Sequence, residues 1–291
     1  MANVRAIRTH IKSVESTRKI TRSMKMVAAA KLKRTQQSMN ALRPYAAAAE
    51  ELLGRLGADA AARENAFLKP REVRRVCYVL FVGNRGLCGV YNTALLKFLE
   101  NRLAQESRAF FLLVVGRWGR DLLAAPRFAV AETVDDLPDA PSEEDARRLC
   151  ERIRELYLSG EADEIVLVYE QYLSALRQEP TARKLLPLDA PAGEEGTRPI
   201  FEPDARSVTD ALVELWLEST VRAVLLEAKT GEHTARMTAM TAASDNTEQL
   251  LEKLNLELNH ARQSAITTEI SEIVGGANAL NRKEEGKRGK G

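Results

Sequence analysis

The stretch Met237–Ala265, MTAMTAASDNTEQLLEKLNLELNHARQSA, decides the fold. Within it Met237, Met240, Ser244, Thr247, Leu251, Leu254, Leu258, Ala261 and Ala265 recur at alternating steps of three and four. That is the seam of a coiled coil, a stripe of apolar or small side chains that needs a second helix to cover it. All ten prolines lie between Pro44 and Pro203, so the chain after Pro203 lacks the residue that breaks helices outright. A helix from about Ser207 to Leu280 would be roughly 110 Å long. A chain of 291 residues cannot bury such a rod from end to end. It has to be sheathed by a partner, which makes the chain a shaft.

The N-terminal segment offers the first partner. Val4, Ile7, Ile11 and Val14 keep the same spacing, and the stripe then slips to Ile20, Met24 and Val27. A slip of that kind changes the local winding of a pair without ending it. From Ala2 to about Leu56 this helix would span ~80 Å. Residues 1–43 hold eleven Lys/Arg against Glu15 alone, while residues 206–280 hold eleven acids against six bases. Opposite charge favours pairing of the two ends. A solvated face explains any one of the N-terminal bases, but the imbalance as a whole points to an acidic partner, nucleic acid or a membrane surface.

The net charge of +2 hides that asymmetry. No apolar run reaches the ~18 residues that a membrane helix needs. Arg5 and Arg8 are followed by no apolar core of a secretory signal. An amphipathic, Arg-rich, acid-poor start also describes a transit peptide, yet here it merges into a long regular helix, and no cleavage is expected. Cys77, Cys88 and Cys150 are odd in number and widely spaced. They fit a reducing compartment, with neither a disulfide framework nor zinc spacing.

Between the helices the composition changes. Residues 57–72 are small and polar and read as a linker. Apolar runs of strand length follow at Val76–Val82, Phe110–Val115 and Ile165–Tyr169, with a further strand through Arg183–Leu188. Amphipathic stretches alternate with them near Val90–Ala104, Gly116–Ala124 and Ser142–Ser159, the last opening on a Ser142/Asp145 helix start. Strand-helix alternation predicts βαβ units and a largely parallel, buried sheet. The expected class is therefore α/β: a long antiparallel coiled coil of the N- and C-terminal helices with an inserted Rossmann-like α/β domain. Its boundaries are 1–56 for the first helix, 57–72 for the linker, 73–203 for the α/β foot and 204–281 for the second helix. Residues 282–291 form a basic tail expected to be disordered.

The loop Gly83-Asn84-Arg85-Gly86-Leu87-Cys88-Gly89 follows a strand and precedes a helix, the place for a phosphate-binding turn. Its spacing matches neither G-x-G-x-x-G nor a P-loop. Three glycines here serve instead to give a tight crossover its backbone freedom. His10, His233 and His260 all fall on the long helices, without a His-Glu-x-x-His motif, and no G-x-S-x-G elbow occurs. No catalytic site, cofactor or metal is expected.

Four motifs together carry a family resemblance: Ile20-Thr-Arg-Ser-Met-Lys-Met-Val-Ala-Ala-Ala-Lys31; Arg85-Gly-Leu-Cys-Gly89 with Asn92; Arg236-Met237 with Ala239-Met240; and Ala261-Arg-Gln263 followed by Ile266-Thr267, Glu269-Ile270, Glu272-Ile-Val274 and Gly276-Ala277. The chain resembles the gamma subunit of F-type ATP synthases from about residue 2 to 280. Asn259-His260 departs from the family's usual Tyr-Asn, the basic tail is extra, and the paired-cysteine insert of the chloroplast form is missing. The resemblance implies a rotor, its coil inside a ring of three alpha and three beta subunits, its foot beside the epsilon subunit and the membrane c-ring. It implies a peripheral protein on the cytoplasmic face of a bacterial inner membrane. Arg262, Gln263, Thr267 and Glu269 match positions that contact the beta subunit, and Met24 and Lys25 match the facing stretch of the first helix. Arg85 in the foot loop either meets a neighbour or holds the turn. The competing readings are a nucleic-acid-binding basic hairpin, which leaves the acidic aliphatic C-terminal helix unexplained, and an α/β enzyme with a coiled-coil arm, which lacks a site.

Overall fold

The computed structural model describes residues 2–56, 64–122, 128–188, 202 and 204–288. Part of the 57–72 linker, nearly all of residues 189–203 and residues 289–291 lie outside the described residues. The chain divides into two compact units, Lys25–Ala239 and the set Met1–Met24 with Met240–Gly291. The helices α1 (Ala2–Leu56) and α5 (Ala205–Arg288) contribute to both.

Within Lys25–Ala239, β1 (Arg75–Phe81), β2 (Ala109–Val115), β3 (Val130–Val134), β4 (Glu164–Tyr172) and β5 (Gln178–Leu186) form one sheet in the order β3-β2-β1-β4-β5. β1 is central and parallel to β2 and β4, with Cys77 beside Phe111 on one side and Ile165 on the other. Its unbroken apolar run is what burial on both faces and both edges requires. α2 (Tyr91–Leu103) covers the face carrying Val76, Tyr78 and Leu80 with Tyr91, Leu95 and Leu99. α4 (Glu143–Leu158), α5 and the end of α1 cover Cys77, Val79 and Phe81 on the other, through Ile153, Leu217, Val221 and Leu53. α3 (Arg117–Leu122) follows β2. The predicted start of α4 is a full capping box: Asp145 N–H donates to Ser142 Oγ at 3.1 Å and Ser142 N–H to Asp145 Oδ2 at 2.8 Å.

Three features escaped the sequence reading, two of them in the sheet. β3 is a half-exposed edge strand, so it needs no continuous apolar run. β5 starts at Gln178 and not Arg183; it pairs antiparallel with β4 and carries Pro180, which an edge tolerates because one side needs no N–H donor. The linker, where described, is docked: Phe67 and Leu68 are buried, Phe67 stacks on Tyr157 at 5.8 Å, and Leu188 N–H donates to Phe67 O at 2.7 Å. Two apolar anchors within a polar segment were enough to fix it.

In the other unit the helices run antiparallel, with Val14 against Leu251 and Leu254, Arg18 paired to Glu248 at 3.6 Å, and Ser244 Oγ donating to Thr21 Oγ1 at 3.0 Å. Each predicted α5 seam position is buried or half-buried. The α1 stripe needs correcting. Ile20 and Val27 are 57% and 54% exposed, while Thr21 and Ala28 are buried, so the stripe does not slip. It runs on through hydroxyl and small side chains that apolar periodicity cannot detect. α5 also continues to Arg288, past the predicted end at 281, because Lys, Arg and Glu in that stretch are good helix formers.

Candidate functional site

The loop after β1 is held by a buried charged cluster on α5. Lys229, Glu232 and Arg236 stand one turn apart on the helix, the spacing at which side chains meet. Glu232 is 1% exposed; its Oε2 takes Lys229 Nζ at 3.1 Å and its Oε1 takes Arg236 Nη2 at 2.7 Å. Burial works against the charged form of Glu232, but the Lys229 and Arg236 cations outweigh it and hold the carboxyl below its ordinary value. Asn84 N–H donates to the same Oε1 at 3.3 Å, and Arg236 Nη2 donates to the carbonyls of Arg85 at 3.1 Å and Gly86 at 3.5 Å. Gly83 N–H donates to Asn92 Oδ1 at 2.9 Å, and Asn84 Nδ2 to Leu137 O at 2.8 Å.

A second layer extends the network. His233 Nε2 lies 2.9 Å from Asp139 O, which as a carbonyl can only accept, so this nitrogen carries the proton and Nδ1 faces Arg236 Nη1 at 3.4 Å. Burial pushes the His233 pKa down, keeping the ring neutral. Lys31 of α1 pairs with Asp139, whose carboxyl, though burial opposes ionisation, is held to about 2 by the Lys31 and Lys229 cations.

This arrangement is unsuited to phosphate. The amide of Asn84 is spent on a carboxylate, and a Cβ on Gly83 would meet Glu232 Cδ at 3.1 Å. The loop's left-handed residues are Leu87 at φ 61° and Gly89 at φ 60°, so of the three glycines only the last supplies such freedom. Arg85 is exposed, and it is its backbone carbonyl that holds the turn. The sequence reading missed Lys229, Glu232, His233 and Asp139. Charges spaced at helical steps inside an otherwise buried stretch were the available signal.

On the coil, Arg262, Gln263, Thr267 and Glu269 are all exposed, and Thr267 Oγ1 donates back to Gln263 O at 3.0 Å. Arg262 and Glu269 share a groove of about 750 Å³ with Val4, Arg5, Arg8, Ala265 and Ile266; Gln263 and Thr267 do not line it. Ile266, Ile270, Ile273 and Val274 are 46%, 56%, 72% and 52% exposed. Met24 and Lys25 are half-buried.

A family model described as ATP synthase matches residues 3–280. The ATP synthase gamma chain of Desulfitobacterium hafniense is 44% identical over 280 residues, which cover 96% of this chain and 100% of the relative. That of Moorella thermoacetica is 43% identical over 281 residues with the same coverage. Among solved structures, a Euglena gracilis mitochondrial ATP synthase rotor superposes with a TM-score of 0.64 at 18% identity, covering 91% of this chain and 99% of that one. A chain of the same enzyme in rotational state 3 gives a TM-score of 0.71 at 19% identity, covering 97% and 96%.

Proposed function

The chain belongs to the ATP synthase gamma chain family, and from that premise we propose that it is the central-stalk rotor, coupling ion flow through a membrane sector to ATP synthesis or hydrolysis by rotation. It is a subunit of a membrane-associated complex. Identity of 44% across the whole of a gamma chain carries the reading. No helix among the described residues is long and apolar enough to cross a membrane. The nucleic-acid alternative finds no support in this match.

In the finer reading the coil turns inside three alpha and three beta subunits, with the epsilon subunit and c-ring at the foot, on the cytoplasmic face of a bacterial inner membrane. The chain has no catalytic site of its own. Met24, Lys25, Arg262, Gln263, Thr267 and Glu269 contact the beta subunit, and Arg85 faces a neighbour at the foot. In support, the four α5 residues are exposed beside uncovered isoleucines, an apolar surface that a surrounding sleeve would bury. A shaft can shift the nucleotide affinities of three identical subunits only by touching each differently. The test is Arg262→Ala with Gln263→Ala in the assembled complex. Folding and assembly should hold, since exposed helix positions tolerate alanine, while ATP turnover or ATP-driven pumping falls. Unaltered turnover and pumping would return both residues to a solvated face.

A further inference from the structure

We propose that Glu232 is a positioning residue of the rotor: it aims Arg236 at the backbone of the 83–89 loop and thereby fixes the angle and height of α5 against the sheet. This rests on the rotor reading above. From Leu212 to Ala228, α5 meets the sheet through apolar contacts, which hold area and are non-directional. From Lys229 to Arg236 the contacts become directional. One carboxylate then binds helix and loop together, taking Arg236 at 2.7 Å and Asn84 N–H at 3.3 Å on the same oxygen while Lys229 occupies the other.

Arg236 has long, freely rotating torsions. With Glu232 in place its fork is turned onto the Arg85 and Gly86 carbonyls. Without it, the one α5 contact left to that fork is the longer one from Arg236 Nη1 to His233 Nδ1 at 3.4 Å, and no charged acceptor remains on α5 to turn it onto the loop. The approach is also close enough to need Gly83, where an added Cβ would lie 3.1 Å from Glu232 Cδ and 3.2 Å from Asn92 Oδ1. A buried ion cluster adds little net stability but can specify one geometry. For a part that must pass torque from a foot to a shaft, one geometry is the requirement.

The experiment uses the complete complex, in membranes, carrying Glu232→Gln or the double variant Lys229→Met/Glu232→Gln. The double variant removes one acid and one base and so keeps the net charge of the cluster unchanged should the single variant fail to assemble. Three quantities are read: ATP hydrolysis, ions pumped per ATP, and amide exchange at Asn84. Loss of the charged acceptor should speed Asn84 exchange by about tenfold or more. Hydrolysis should persist while ions pumped per ATP fall. Faster exchange with unchanged pumping per ATP would reduce Glu232 to a structural role and overturn the proposal. Failure of the unmodified chain to support pumping at all would instead overturn the rotor reading.

Discussion

Replacing Leu254 with alanine should loosen the coil and leave the sheet untouched. Leu254 is 5% exposed and belongs to a small cluster with Val14, Leu251 and Ile11. Fully burying one such aliphatic side chain contributes about 1.5–3 kcal/mol, and four of them must offset the ordering of two helices. Leu→Ala in a core costs about 2–5 kcal/mol. Here the lower end applies, because a two-helix seam can collapse onto the smaller residue. A loss of roughly 2 kcal/mol corresponds to about thirtyfold in an opening equilibrium. The sheet clusters share no residue with this one, so the effects should not propagate. The assay is amide exchange by mass spectrometry on the isolated chain. Peptides from residues 2–24 and 240–277 should lose about thirtyfold in protection, and those from β1 and β2 should be unchanged. Equal loss in the sheet, or none in the coil, would refute the seam and its independence.

Gly116 sits at φ 119°, where a Cβ would lie 2.2 Å from Val82 O. Gly116→Ala should therefore cost about 2–4 kcal/mol in urea unfolding, and a loss below about 1 kcal/mol would mean the crossover is looser than described. Glu170 is buried, and burial raises its carboxyl from 4.5 to about 7. The folded state then holds a proton that the unfolded state releases, so this group's contribution to stability falls as pH rises from about 4.5 to about 7. Glu170→Gln should raise the melting temperature at pH above that window and not below it; the same shift at both extremes would show that titration is not the cause.

The two seams show what a sequence can and cannot reveal. On α5 every seam position is apolar, small or hydroxyl-bearing and recurs without a break, and each one is buried or half-buried. On α1 the pattern was legible only to Val14. Beyond it, the inward positions nearest Val14 are taken by Thr21 and Ala28, and apolar Leu32 and Met39 come back only further on, beside Thr35, while Ile20, Met26 and Val27 face outward. Apolar periodicity follows the wrong side of a helix when the covered side is polar and the open side is reserved for something else. The central strands declared themselves by continuous apolar runs, whereas β3 and the first half of β5, at the edges, had no need of one. The Lys229–Glu232–Arg236 spacing is visible in the sequence. Its loop partners stand about 150 positions away, and only the folded chain brings them together.

A rotor must turn against its ring. All three native cysteines are buried, so Ala175→Cys in the exposed turn between β4 and β5 supplies a single accessible handle on the foot. The chain would be assembled with its alpha and beta subunits, the ring fixed to a surface, and a bead attached at position 175. On adding ATP the bead should rotate in one direction, in discrete steps, and stop when ATP is removed. A stoichiometric complex that hydrolyses ATP while the bead only fluctuates about a fixed angle would contradict the rotor account.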